Sequence, residues 1–315
     1  MNPEENQRWI ELRHWRQFLA VAEELHFGRA AARLHMTQPP LTQAIAGLEQ
    51  TLGASLFDRT RRRVALTPAG AALLPEVREL LARARALPPL ARGAARGELG
   101  RIRLAFVSTA GFELLPRWVR AWREQAPGVH LELIEATSDV QAELLERGEI
   151  DAGLMLLASG SPSPGLAHWR VAVEPLVLAL PEQHALAQGS RWTLAQVLAE
   201  PLVIFPRRIA SSLHDAVFAL YHAGGRAPQV AQEAIQMQTI VNLVSAGLGL
   251  AWVPQSVERF QRAGVVYRPA PARGARRVPA CETRLVWSTE RVSPVLARFL
   301  DFVGASAERA QSDAC

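Results

Sequence analysis

At 315 residues and 49% hydrophobic content, the chain has room for two or three domains and the balance of a soluble globular protein. No stretch approaches the ~20 consecutive apolar residues of a membrane span. The 35 basic residues are all arginine, and their excess over the acids lies early: residues 1–97 hold 14 arginines against 9 acidic residues, residues 98–315 hold 21 of each. A basic head on a neutral body points to a nucleic-acid module joined to something else. Cys281 and Cys315 give neither a disulfide framework nor metal-ligand spacing. The polar N-terminus MNPEENQRWIELRHW has no signal-peptide core, so a cytoplasmic protein without a metal or resident cofactor is expected.

Residues 12 to 25 read as a supporting helix with Trp15, Phe18, Leu19, Ala22 and Leu25 facing inward. Phe27, Ala30, Ala31 and Leu34 then share one face of a short second helix. Thr37 is a good N-cap, and Pro39 and Pro40 fit only a first helical turn, so a third helix begins about three residues after the second ends. Leu41, Ile45, Leu48 and Leu52 form its inner stripe. Pro39, Gln43, Ala46 and Gln50 lie opposite, with Gln38 and Thr42 at the leading end; amides there can bond base edges in a major groove. Gly53 stops this helix, and Leu56-Phe57 opens a two-stranded segment whose tip, Asp58-Arg59-Thr60-Arg61-Arg62-Arg63, is densely basic. Helix, turn, helix and basic wing is the grammar of a winged helix-turn-helix DNA reader.

Residues 12 to 75, above all FLAVAEELHFGRAAARLHMTQPPLTQAIAGLEQTLGASLFDRTRRRVALTPAG, resemble the N-terminal domain of the LysR-type transcriptional regulators, and the resemblance continues at lower specificity to about residue 303. Gln43, Ala46 and Gly47 occupy outward positions that in many members include arginine, which bears on the target sequence rather than on DNA binding. Because the helix from Gln38 to Gln50 contains no arginine, we assign the phosphates to Arg29, Arg33, Arg59, Arg61 and Arg62. The groove-facing surface falls to Thr37, Gln38, Pro39, Pro40, Thr42 and Gln43.

From Thr67-Pro68 to about Leu87 the pattern predicts a long helix with a stripe of Leu73, Leu74, Val77, Leu80, Leu81 and Ala84. The stripe can cover its own domain, but pairing with its copy is the more economical reading. Pro75 should bend the helix or end it a turn early, Pro88-Pro89 should end it, and ARGAARGELG reads as a flexible hinge. The resemblance implies an antiparallel dimer contact here, a homotetramer built as a dimer of dimers, and RNA polymerase as a partner to consider. No membrane partner is implied.

Beyond the hinge, strands at 101–107, 129–135 and 150–157 alternate with helices at 114–125 and 140–147, which means a parallel sheet covered by helices. Strands near 171–180, 202–205, 229–234 and 249–254 and helices near 194–198, 213–222 and 237–246 form a second set, before segments at 265–269 and 285–288 and a helix at 294–303. The expected domains are a winged helix-turn-helix over 1–67, a linker helix and hinge over 68–97, and an α/β effector-binding domain over 98–315. The last is two-lobed and periplasmic-binding-protein-like, with lobe I over 98–170 and 268–303 and lobe II over 171–267.

Ligands of such sheets bind beyond the carboxyl ends of strands. Those ends carry Ser108-Thr109, Thr137-Ser138, Phe205-Pro206 with Arg207 and Arg208, and Gln236-Met237. Singly, each hydroxyl is as well explained as a helix cap; jointly, with the arginines, they suit a carboxylate-bearing effector. The resemblance implies a small-molecule coinducer, and positions 108, 109, 138, 206 and 237 fall where the family lines its pocket. Ile209-Ala210-Ser211-Ser212 lacks the cysteine pair of the peroxide-sensing members. No Gly-x-Ser-x-Gly elbow, phosphate-binding glycine loop or His-Glu-x-x-His motif supports an enzyme. The competing readings are a two-lobed transport-type binding protein and a DNA-binding protein that senses nothing.

Overall fold

The computed structural model describes residues 9–59, 63–162, 165–189, 192–271 and 278–312. The chain divides into two compact units, Met1–Arg92 and Gly93–Cys315.

The first unit opens with α1 (Leu12–Glu24), which buries Phe18, Ala20, Val21 and Ala22. Leu25, expected inside, is exposed: it caps α1 in the left-handed conformation, φ 48°, and this turns its side chain outward. α2 (Phe27–Arg33) and α3 (Gln38–Leu52) follow, with Phe27, Ala30, Ala31, Leu41, Ile45 and Leu48 in one shared core. Thr37 and Gly53 are the N-cap and left-handed C-cap of α3. β1 (Phe57–Arg59) and β2 (Val64–Leu66) pair antiparallel, Phe57 opposite Leu66 and Arg59 opposite Val64. Arg61, Arg62 and Cys315 lie outside the described residues.

α4 (Pro68–Ala95) corrects the expected linker: it passes through Pro75, Pro88 and Pro89 without ending. A proline inside a helix removes one backbone donor and crowds the carbonyl four residues back. These three prolines are exposed, so water can serve the freed carbonyls and the helix continues. The apolar stripe is divided. Val77 and Leu81 are buried in the core of the first unit, with Leu73 and Leu74 against it, whereas Leu80, Leu87 and Leu90 are exposed. The expected flexible hinge shrinks to a turn after Ala95, and it is packed: Gly97 has φ +65°, and a Cβ there would lie 2.4 Å from the Pro294 carbonyl oxygen.

In the second unit, β3 (Gly100–Phe106), β4 (Val129–Glu135) and β5 (Ala152–Ala158) form the expected parallel arrangement, with β3 between the other two. α5 (Leu114–Gln125) and α6 (Ser138–Arg147) connect them. The next strand, β6 (Ala167–Pro181), is far longer than its apolar run, because its first half alternates exposed and half-buried residues. Short helices α7 (Ala185–Gln188) and α8 (Leu194–Val197) lead to β7 (Leu202–Ile204), α9 (Ser211–Ala223), β8 (Val230–Glu233), α10 (Met237–Ser245), β9 (Ala251–Pro254) and β10 (Val265–Pro269). β11 (Ala280–Trp287) and α11 (Pro294–Ser312) return to the first lobe.

The strand order β10-β6-β11-β5-β3-β4, with β9 also on β6, makes β6 the strand common to both lobes. Up to Pro175 it pairs with β11; from Leu176 onward it pairs with β9 and β10. Each lobe has its own core: Trp118, Trp122 and Phe299 in one, Tyr221, Val241 and Trp252 in the other.

Candidate nucleic-acid interface and effector cleft

The outer face of α3 is as uncharged as its sequence. Thr37, Gln38, Pro39, Pro40 and Gln43 are exposed, while Thr42 is half-buried and its hydroxyl donates to the Gln38 carbonyl at 3.1 Å. The Thr37 hydroxyl makes no capping bond, so it stays available to a phosphate or a base.

The described arginines are held by acids that sequence reasoning passed over. Arg29 donates through Nε to Glu24 at 3.3 Å and through Nη2 to the Glu24 carbonyl oxygen at 2.5 Å. Arg33 pairs with Glu23 at 2.8 Å and Glu24 at 3.5 Å, and the Glu23 hydrogen bond holds its guanidinium above the ordinary arginine range. Glu23 also meets Arg78 of α4 at 3.3 Å. Arg59 pairs with Glu49 at 2.9 Å and lies over the Phe27 ring, 4.8 Å from its centroid. The available signal was the surplus of acids at the end of α1, next to an arginine-bearing helix.

In the second unit, one cavity of about 30 Å³ gathers most of the expected effector residues: Ser108, Thr109, Thr137, Ser138, Phe205, Gln236 and Met237 all line it. All but Phe205, which follows β7, arrive on three helix starts. Ser108 and Thr109 open a 3-10 turn (Ser108–Phe112), Ser138 opens α6, and Met237 opens α10. Among the described residues none of the three is capped by a side chain, so first-turn N–H groups remain for a ligand. Ser138 Oγ accepts the Leu156 N–H at 3.3 Å, which leaves its proton to donate. Thr137 donates to Asp139 instead. The Thr109 hydroxyl is buried and has no partner among the described residues.

Pro206 and Arg208 do not line this cavity. After Phe205 the chain turns outward, leaving Arg208 exposed, and returns with Ile209. Arg207 is occupied by Asp215, with two bonds of 2.7 Å. The arginine argument for an anion therefore gives way to the helix starts. Val107, Ala136, Leu156, Ile209, Ala210 and Ile235 complete the lining; ordinary apolar residues carry no sequence signal for such a role.

A larger opening of about 820 Å³ borders Glu113, Arg170, Glu174, Ser256 and Thr283, and shares only Thr109 with the expected site. Size does not make it the effector site, since much of its polar chemistry is already used. Glu113 pairs with Arg259 at 2.9 Å, and Glu174 accepts the Ser256 N–H at 2.6 Å. Cys281 nearby is buried, donates to the Glu174 carbonyl at 3.5 Å, and burial pushes its thiol well up, which keeps it unreactive at neutral pH.

A helix-turn-helix with a wing, joined to a two-lobed α/β unit with a polar cleft, defines a DNA-binding regulator with a small-molecule-binding domain. Residues 12–71 match the model of the bacterial regulatory helix-turn-helix proteins of the lysR family, and residues 95–308 match the LysR substrate binding domain. The chain belongs to the LysR family of transcriptional regulators. It is 46% identical to the HTH-type transcriptional regulator IlvR of Caulobacter vibrioides, covering 93% of this chain and 97% of that protein. It is 40% identical to AlsR of Bacillus subtilis, covering 82% and 85%. Full-length CbnR bound to its target DNA superposes with a TM-score of 0.78 at 32% identity, covering 95% of this chain and all of that one. No helix among the described residues is long and apolar enough to cross a membrane.

Proposed function

We propose that this regulator binds promoter inverted repeats as paired copies, a dimer or a dimer of dimers, and that a small carboxylate entering the cleft changes how it bends the DNA. The reading of half-sites falls to Gln38, Pro39, Thr42 and Gln43, with Thr37 and Pro40 at the leading end. The phosphates fall to wing residues Arg61 and Arg62 and, by exchange of their acid partners, to Arg29 and Arg33. Exposed Leu80, Leu87 and Leu90 support pairing through α4 from its middle onward.

One observation carries the effector reading: uncapped starts of α6 and α10 and the 3-10 turn at Ser108 converge on one cavity. Such helix ends present N–H groups and partial positive charge, which favour an anion. At about 30 Å³ the cavity is far below the ~300 to 1,000 Å³ of a ligand pocket, so binding requires the lobes to part. Phe205, Ile209 and Met237 would then cover an apolar body behind the carboxylate.

Titration of the full-length protein with a panel of aliphatic, aromatic and dicarboxylic acids, followed by tryptophan fluorescence and by footprinting on promoter DNA, tests this. At least one acid should shift both signals, and Ser138→Ala should weaken that acid's effect. A panel without any response removes the carboxylate reading.

A further inference from the structure

The only ionisable side chain in the recognition helix, Gln38–Leu52, is an acid, Glu49. An acid on a helix that approaches a polyanion opposes binding unless it does something else. Its two oxygens are divided between two tasks. Oε1 accepts the backbone N–H groups of Leu56 at 2.8 Å and Phe57 at 3.1 Å, at the entry to β1. Oε2 accepts Nη2 of Arg59 at 2.9 Å, at the far end of the same strand. The Arg59 guanidinium lies over the ring of Phe27, which meets Phe57 edge-on at 6.0 Å.

The other side of the wing base is fixed as well. The Leu56 carbonyl accepts the Thr67 N–H at 3.0 Å, and the Thr67 hydroxyl donates to the Ser55 carbonyl at 2.6 Å. One carboxylate thus joins the recognition helix to the wing, while Thr67 joins the wing to the start of α4.

We infer that Glu49 and Arg59 are positioning residues for DNA binding: together they set the wing against the recognition helix, and Arg59 holds the wing instead of a phosphate. This deepens the DNA-binding reading and departs from the sequence assignment of Arg59. The Arg59 guanidinium is paired with a carboxylate through Nη2 and seated on an aromatic face, which fixes its direction and offsets its charge. Arg61 and Arg62 are the wing arginines left by sequence to meet phosphates. The role of the pair is to deliver the wing that carries them.

The test uses full-length protein and two duplexes: one selected from a random library by the wild type, and one of the same length and scrambled sequence. Glu49→Gln keeps an oxygen for the Leu56 and Phe57 N–H groups and removes the charge. A mere acid near DNA predicts tighter binding by this variant; positioning predicts binding roughly 3- to 10-fold weaker, with the salt slope lower by about 0.9 for each wing phosphate lost. Hydroxyl-radical protection beside the half-site should fade while protection at its centre stays.

Arg59→Lys retains the charge but not the fork. It should lose the same slope, whereas a direct phosphate contact would keep it. Should Glu49→Gln unfold on thermal melting, Arg59→Ala with Arg62→Ala decides: positioning predicts that the double variant binds like Arg59→Ala alone, and additive losses overturn the inference. If the wild type enriches no duplex from the library, the DNA-binding reading itself fails. If it binds and Glu49→Gln binds as well or better, only the positioning role fails.

Discussion

In the reading unit, Glu23, Glu24 and Glu49 each hold an arginine, whereas in the cleft the Thr109 hydroxyl and the first turns of α6 and α10 have no side-chain partners among the described residues. The two regions bind charge by different means. Ion pairs exposed to water contribute roughly 0 to 1 kcal/mol, so Arg29 and Arg33 can exchange a carboxylate for a phosphate at little cost. A buried donor or acceptor without a partner costs about 1 to 3 kcal/mol, so a ligand that satisfies the Thr109 hydroxyl would recover that cost. The first region therefore gains affinity from many replaceable contacts, and the second from a few fixed ones.

The strongest way to break this contrast is to damage one region and look for damage in the other. In Gly70→Val, a Cβ would lie 2.2 Å from the Leu56 carbonyl oxygen, which cannot move without displacing the wing, and 2.9 Å from Leu66 Cδ2. We expect about 3 kcal/mol of destabilisation in urea unfolding of the first unit, with DNA binding lost and acid-induced fluorescence changes retained. Loss of both responses would show that the cleft depends on the reading unit.

Next in size is Gln141→Leu. Gln141 is fully buried, and its amide donates to the Ala136 carbonyl at 2.7 Å and to the Leu154 carbonyl at 3.1 Å, tying the start of α6 to β5. Leu154 O also accepts the Val107 N–H, so the variant orphans Ala136 O while removing Gln141 Oε1, which has no partner among the described residues, for a net loss of about 1 kcal/mol. Chemical denaturation should report that loss, and effector response should fall with it because Thr137 and Ser138 follow directly. A normal response would detach the α6 start from ligand binding.

Thr109→Val sharpens the comparison by its sign. The isosteric change removes a hydroxyl that has no partner among the described residues, so it should stabilise the second unit by about 1 kcal/mol while weakening the response to the acid. Destabilisation on melting would mean that the hydroxyl is satisfied in solution, and the contrast with the reading unit would narrow.

How much of this was legible in the sequence follows the same division. Apolar stripes and caps gave α2, α3 and the wing in order, because Ala30, Leu41, Ile45 and Gly53 are dictated by local packing and backbone conformation. Of the nine residues expected at strand ends, seven line one cavity, since helix starts in α/β units have short-range signatures. What stayed hidden depended on distant partners. Glu49 reads as one more surface acid until β1 is folded beside it, and Arg208 reads as a neighbour of Phe205 until the turn after Phe205 carries it outside that cavity. Pro88-Pro89 misled because a proline's effect depends on whether water can reach the freed carbonyls.

The smallest expected effect concerns Glu174, beside the larger opening. Burial is the main reason that its carboxyl lies above the ordinary glutamate value of 4.5, and the charge of Glu113 adds to it; the Ser256 N–H and hydroxyl act the other way. A carboxyl raised on folding binds protons more readily in the folded than in the unfolded state, so its contribution to stability falls as pH rises from the unfolded value through the folded one. Above that window the cost of the buried charge is fully present; below it the cost vanishes. Glu174→Gln keeps an oxygen for the Ser256 N–H and removes the charge, so it should flatten that part of the curve of unfolding free energy against pH and leave the variant slightly more stable near neutrality. Urea titrations across the acid range measure it, and a wild-type curve that rises with pH in the same window, with the variant unchanged from it, would mean that Ser256 outweighs burial at this site.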